Sequence, residues 1–176
     1  ASEAYARFNG LSVCQVTTGP GGINALAGCA GSFIDSQPIF FVSGQVESYS
    51  LKHNSIRQFG VQEVDICSIV EPIVKEVVQL NDPKLVRYEL ERLHFLATTG
   101  RPGPVWLDIP LDIQNNKIVE SDLVGFEPPI RDKRFDRMLE VKIEKSADLV
   151  SQSRRPIVLI GAGSRSFLKA NPGYIE

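Results

Sequence analysis

The sequence predicts an α/β protein built on a parallel sheet with helices on both faces, followed by the beginning of a second α/β domain. Three observations carry this. Short β-rich runs alternate with helical periodicity from residue 13 to residue 110, and such alternation requires parallel crossovers. The run "PIFFVSG", Pro38 to Gly44, is continuously apolar, as a strand covered on both faces must be. Near the C-terminus "RRPIVLIGAGS" starts a further strand and a tight glycine turn.

Taken in order, "ASEAYARFNG" is helical in character, and "LSVCQVTTG" is a strand over Val13–Thr17 closed by Gly19. "GINALAGCAGSFIDS" follows as a helix, with Ala25, Cys29 and Phe33 recurring at i, i+4 and i+8. After the strand at Pro38–Gly44 come a short helix at Asp65–Val70 and a strand at Ile73–Leu80. In "NDPKLVRYELERLHFLATTG" Asp82 can cap a helix, Pro83 suits its first turn, and Gly100 stands at its exit. Leu85, Leu93 and Leu96 mark the buried stripe of that helix, and Pro104–Pro110 is a further strand. After Gln114 the period is lost, and Pro128-Pro129 punctuates a surface connector. "MLEVKIEKSADLVSQS" is helical again. The expected organisation is therefore a first domain over 1–115, a linker over 116–137, and the start of a second domain over 138–176. A lone strand and turn cannot bury an apolar face, so we expect a fragment of a longer chain; Ala1 likewise opens in helical sequence without an initiator Met.

Composition excludes several function classes. A net charge of −2 with no Lys/Arg cluster argues against a nucleic-acid surface. No apolar run approaches the ~20 residues of a membrane span, and no basic-then-apolar leader is present, so a cytoplasmic protein is expected. Cys14, Cys29 and Cys67 are scattered without a metal-binding spacing. With only His53 and His94 beside them no metal site is expected, and the cysteines read as buried and reduced.

The loop Gly19-Pro20-Gly21-Gly22-Ile23-Asn24 lies at the carboxyl end of a strand and opens a helix, where open α/β sheets bind ligands. Free N–H groups at a helix start favour anions, which makes a phosphate the first candidate. The loop nonetheless matches neither the Walker phosphate loop nor the dinucleotide fingerprint, and a turn for close helix–sheet packing stays open. Gly161-Ala162-Gly163 has Ser166 where the fingerprint needs a third glycine, so a plain strand-to-helix turn is the favoured reading. Asp108 and Asp112 flank Pro110 and could form an acid/base pair; a carboxylate at a strand end more often accepts hydrogen bonds from loop N–H groups, and that reading is preferred.

Taken together, "EAYARFNG", "VTTGPGGINALAG", "PIFFVSGQV", "FGVQEVD", "PIVKEV" and "TTGRPGPVWLDIPLDIQ" resemble the pyrimidine-binding (PYR) domain of thiamine-diphosphate enzymes of the acetolactate synthase group. "ADLVSQSRRPIVLIGAG" resembles the start of that group's Rossmann-like central domain. The resemblance implies that the glycine loop lies against the aminopyrimidine ring of thiamine diphosphate, with Pro20, Gly21 and Asn24 as ring contacts. The diphosphate and its Mg²⁺ would be held by a third domain of the partner subunit, which implies a homodimer or tetramer. Gln62 matches a glutamine facing cofactor and substrate; Val61, where relatives carry Phe, and Lys75 match positions along the substrate channel. The glutamate that activates the cofactor would lie upstream of Ala1, and Glu3 is not its counterpart. The implied activity is that of a carboligase or decarboxylase, a transferase or lyase acting on a 2-oxo acid such as pyruvate. FAD in the central domain is left open. Two other readings stay beside this one: a non-catalytic PYR-type subunit pairing with a separate diphosphate-binding chain, and a nucleotide-binding α/β protein.

Overall fold

A computed structural model describes residues 1–51, 56–130, 133–164 and 173. The chain divides into two compact units at Pro128 and Pro129.

The first unit opens with helix α1 (Ser2–Asn9) and strand β1 (Ser12–Val16), then helix α2 (Pro20–Ile34) and strand β2 (Ile39–Gln45). Helix α3 (Ile66–Val70) is capped by Asp65, whose carboxylate accepts from Ser68 N at 3.1 Å. Strand β3 (Val77–Gln79), helix α4 (Val86–Thr98), strand β4 (Val105–Pro110) and helix α5 (Leu111–Gln114) complete it. All four strands are parallel, in the order β1-β2-β4-β3. The register sets Ser43 beside Asp108 and Gly44 beside Ile109.

The order explains the layering. The chain steps one way from β1 to β2 to β3 and back to β4, and right-handed crossovers then send helices to opposite faces. On one face Ile39, Phe41 and Trp106 pack with Cys29 of α2 and with Ile66 and Val70 of α3. On the other, Phe40, Val105 and Leu107 pack with Leu93 and Ala97 of α4. Phe41 and Trp106, neighbours on adjacent strands, stack with centroids 4.8 Å apart and planes 7° from parallel.

Several elements depart from the sequence expectation. The stripe of α2 is Gly22, Cys29 and Ser32, whereas Phe33 is exposed. At 3.6 residues per turn, i+8 drifts about 80° from i while i+7 returns within about 20°. Strand β3 is shorter than expected because Glu71–Ile73 form a 3₁₀ turn containing Pro72. It is an edge strand, yet Lys75 N and Leu80 N still donate to Pro104 O and Asp108 O at 2.8 Å. Leu85 lies in a 3₁₀ turn ahead of α4 and is exposed, so Leu93 and Ala97, with partly buried Val86 and Leu96 packed against the same cluster, carry the stripe. Helix α5, directly after β4, has no sequence signal beyond Pro110. The connector is anchored too: Phe126 sits edge-on to Tyr88 at 5.6 Å, and its N–H donates to Glu91 at 2.7 Å.

The second unit holds helix α6 (Lys133–Ser151). The expected strand in "RRPIVLIGAGS" is not formed: Ile157 and Leu159 are 87% and 93% exposed, and no residue of the run is in a strand. A strand exists only through a ladder to a neighbour, and no neighbouring strand pairs with this run among the described residues. No helix among the described residues is long and apolar enough to cross a membrane.

Candidate functional site

The carboxyl ends of β1 and β2 lead into a cleft of about 380 Å³ lined by Pro20, Ile23, Asn24, Gln58, Gln62, Glu63 and Val64. Two segments far apart in sequence build it. The first is the start of α2. Gly19 is the residue before the helix, with φ 59° and ψ −107°, a conformation essentially closed to residues with a Cβ. Pro20 occupies the first helical position, where its missing N–H is no loss. Gly21 and Gly22 let α2 sit down: a Cβ would come within 2.8 Å of Thr17 Cγ2 at the first and 3.0 Å of Ile66 Cδ1 at the second. The loop thus serves close helix–sheet packing as well as opening a cleft.

The second segment is the 58–64 turn. Glu63 is buried, and its carboxylate accepts from Phe59 N at 2.8 Å and Gly60 N at 3.0 Å. Gln62 takes a left-handed conformation, φ 61°, uncommon for a residue with a side chain and costing roughly 1–3 kcal/mol. Its carbonyl lies against Gly19, where a Cβ would stand 2.1 Å from the oxygen. The two segments therefore define one surface, with apolar Pro20 and Ile23 beside the amides of Asn24, Gln58 and Gln62. A flat apolar wall with few amide groups suits a small polar ring, and amides can donate and accept at once.

Behind the cleft lies a buried polar network. Asp108 is fully buried. Its Oδ1 accepts from Ser43 Oγ at 2.5 Å, and its Oδ2 accepts from Gln45 Nε2 and Gln79 Nε2, both at 3.1 Å. Trp106 Nε1 donates to Ser43 Oγ at 2.8 Å. Burial pushes the Asp108 carboxyl above the usual carboxylate range, opposed by the hydrogen bonds from Ser43, Gln79 and Gln45. Asp112 is employed separately: it accepts from Ser48 N at 2.8 Å and Ser48 Oγ at 2.6 Å, which hold its carboxyl below the usual range. Both carboxylates are thus engaged with strand or loop donors.

The structure brings Pro20, Asn24 and Gln62 together in the cleft, whereas Gly21 packs against Thr17 and Val61, 86% exposed, is not among the lining residues. Lys75 is elsewhere, at the amino-terminal end of β3, where its ammonium donates to Leu96 O and to Thr99 O (2.8 Å) at the end of α4. Burial lowers its pKa. His53 falls outside the described residues. Gly161 precedes and Gly163 lies within a short 3₁₀ turn at Ala162–Ser164 that no strand precedes among the described residues, so the strand-turn context of a dinucleotide loop is missing there; Ser166 is outside the described residues. Burial pushes the Cys29 and Cys67 thiols up to about 12, which removes them as nucleophiles at neutral pH. Among the described residues no group of three or more His, Cys, Asp or Glu could hold a metal ion. Sequence reasoning missed Ile23, Gln58, Glu63 and Val64; only the proximity of Glu63 to Gly60, as the brace of a tight turn, offered a signal.

A parallel α/β sheet with an amide-lined cleft at its carboxyl edge defines a domain that binds a small molecule or cofactor. Residues 1–69 match the family described as "Thiamine pyrophosphate enzyme, N-terminal TPP binding domain". The chain is 33% identical over 172 residues to a probable acetolactate synthase large subunit of Methanocaldococcus jannaschii, covering 93% of this chain and 27% of that protein. It is 35% identical over 170 residues to an acetolactate synthase of Arthrospira platensis, covering 93% and 28%. With acetolactate synthase 2, chloroplastic, of Nicotiana tabacum the identity is 32% over 169 residues, covering 93% and 24%. The chain belongs to the thiamine-diphosphate enzymes of the acetolactate synthase group, and it spans about a quarter of the length of these curated relatives.

Proposed function

We propose that the cleft receives the aminopyrimidine ring of thiamine diphosphate within an acetolactate synthase-like enzyme that decarboxylates a 2-oxo acid such as pyruvate and transfers the product to a second carbonyl compound. The observation that carries this is the convergence of Pro20, Asn24 and Gln62 on one cleft in a chain whose first 69 residues match the cofactor-binding family. The fit is chemical. Pro20 and Ile23 offer an apolar face, the amides of Asn24 and Gln62 suit ring nitrogens and an amino group, and no cationic side chain lines the cleft among the described residues. The described lining suits a ring better than a diphosphate, and in this reading the anion first suggested by the glycine loop, with its Mg²⁺, is held by the partner subunit.

In this reading residues 1–115 form the PYR domain, 116–137 a linker and 138–176 the start of a central domain. A homodimer is the minimum active unit, the partner subunit supplying the diphosphate-binding surface. When bound, thiamine diphosphate supplies the electron sink for decarboxylation. Pro20 and Ile23 hold the ring by apolar contact, Asn24 orients it, and Gln62 faces the substrate side with exposed Val61 next to it.

The test is titration of the intact enzyme with thiamine diphosphate. Asn24→Ala removes one amide contact, worth about 1 kcal/mol, and weakens binding roughly five- to tenfold. Unchanged affinity in Asn24→Ala and in Gln62→Ala together would refute the assignment.

A further inference from the structure

We propose that Gln45 and Asp108 are positioning residues: the buried carboxylate orients the Gln45 amide, and that amide holds the loop carrying Gln58, Gln62 and Glu63 against the turn at Gly19. The mechanical part rests on geometry, and its consequence for binding rests on the cofactor reading above.

Gln45 ends β2 and is 4% exposed. Its Nε2 donates to Val64 O at 2.9 Å and to Asp108 Oδ2 at 3.1 Å, and its Oε1 accepts from Val46 N at 3.0 Å. Both amide hydrogens and the oxygen are thereby committed, and a flipped amide would lose all three bonds. Val64 lines the cleft, so this amide is a direct tie from the sheet to the loop.

Hydrogen-bond directions propagate through the network. An indole N–H can only donate, so Trp106 makes Ser43 Oγ an acceptor and sends the hydroxyl hydrogen to Asp108 Oδ1. Oδ2 receives two amide N–H groups. With donors on both oxygens, each oxygen of the Asp108 carboxyl serves as an acceptor. Asparagine would turn an N–H₂ group toward one set of donors. Asp108 therefore decides which way Gln45 points, and Gln45 decides where Val64 sits. The internal brace from Glu63 to Phe59 and Gly60 makes the turn move as a unit, so its position depends on how the sheet holds Val64.

Gln79 provides the discriminating control. It donates to the same Asp108 oxygen at 3.1 Å and does not line the cleft. The experiment is amide hydrogen exchange, followed by mass spectrometry, on the intact polypeptide carrying these residues. Gln45→Met preserves bulk and removes the tie; exchange in peptides spanning 58–64 should rise at least tenfold while α4 and β4 keep wild-type protection. Gln79→Met should leave 58–64 unchanged. Equal exchange in wild type and Gln45→Met, or the same rise in Gln79→Met, overturns the proposal. If Gln45→Met does not fold, Gln45→Asn retains an amide one methylene too short to span Asp108 and Val64, and the same criteria apply. Thiamine diphosphate titration of the same proteins separates the two claims. Loosened exchange with at least tenfold weaker binding supports both. Loosened exchange with undiminished binding overturns the functional part. A wild-type protein that binds no thiamine diphosphate, with the exchange pattern intact, removes the cofactor reading and leaves the positioning claim standing.

Discussion

Replacing Gly19 by alanine probes the junction on which the cleft depends. At φ 59° and ψ −107° a side chain costs roughly 1–3 kcal/mol through backbone strain alone. The added Cβ would stand 2.1 Å from Gln62 O, 3.2 Å from Gln62 C and 3.4 Å from Gln62 Cβ. A tolerable contact requires the Gln62 turn to retreat by about 1 Å, and its tie through Gln45 to Val64 resists that movement. Strain and displacement together give an expected destabilisation of about 2–4 kcal/mol, which exceeds the usual cost of a surface substitution several-fold. Denaturant unfolding followed by fluorescence of Trp106, the single tryptophan of the chain and fully buried, measures it. The titration above should also show thiamine diphosphate affinity falling at least tenfold, since the turn moves relative to Pro20 and Asn24. The matched control is Gly28→Ala: Gly28 lies inside α2 with open space around the added methyl. It should gain about 0.5–1 kcal/mol from helix propensity. A Gly19→Ala protein with wild-type stability and affinity would refute the contact between the two segments as the origin of the cleft.

Further outcomes follow from the buried network and the sheet. Burial raises the Asp108 carboxyl above its unfolded value, so its contribution to stability is full below the unfolded pKa and is lost as pH rises through the folded one. Asp108→Asn should abolish that fall in a pH series of urea midpoints, while costing about 1–3 kcal/mol near neutral pH through opposed donors. Asp112 has the opposite sign: its lowered carboxyl loses stability as pH falls through its folded pKa, and Asp112→Asn should flatten the acid limb. Trp106→Phe keeps the stack on Phe41 and removes the N–H to Ser43; about 1 kcal/mol, or a fall of roughly 3–4 °C in Tm by circular dichroism, is expected. Lys75→Met removes the donor to the last carbonyls of α4 and should cost about 1 kcal/mol with thiamine diphosphate affinity unchanged; a loss of affinity comparable to that of Asn24→Ala would bring Lys75 back to the cofactor site.

Local sequence determined most elements of the first unit, though not α5 or the start of β3, because their signals are short-range. Alternating strand and helix character, the Asp82 cap, Pro20 at a helix start and the apolar Ile39–Val42 run each act within a few residues, and they imply a parallel sheet wherever they recur in this order. The pairing of Gly19 with Gln62 could not be read this way, since it joins residues 43 positions apart and depends on a left-handed glutamine that no propensity favours. Asp108 reads in sequence as one of two carboxylates around Pro110; only the parallel pairing of β4 with β2 on one side and β3 on the other, which sets Asp108 beside Ser43 and Gln79 and within reach of Gln45, turns it into the acceptor for three donors. The run at Ile157–Ile160 has the composition of a strand but no ladder among the described residues, because a strand is completed by a neighbour and not by its own residues. Periodicity and capping are properties of the local chain. The cleft is a property of strand order, which brings together loops that the sequence leaves apart.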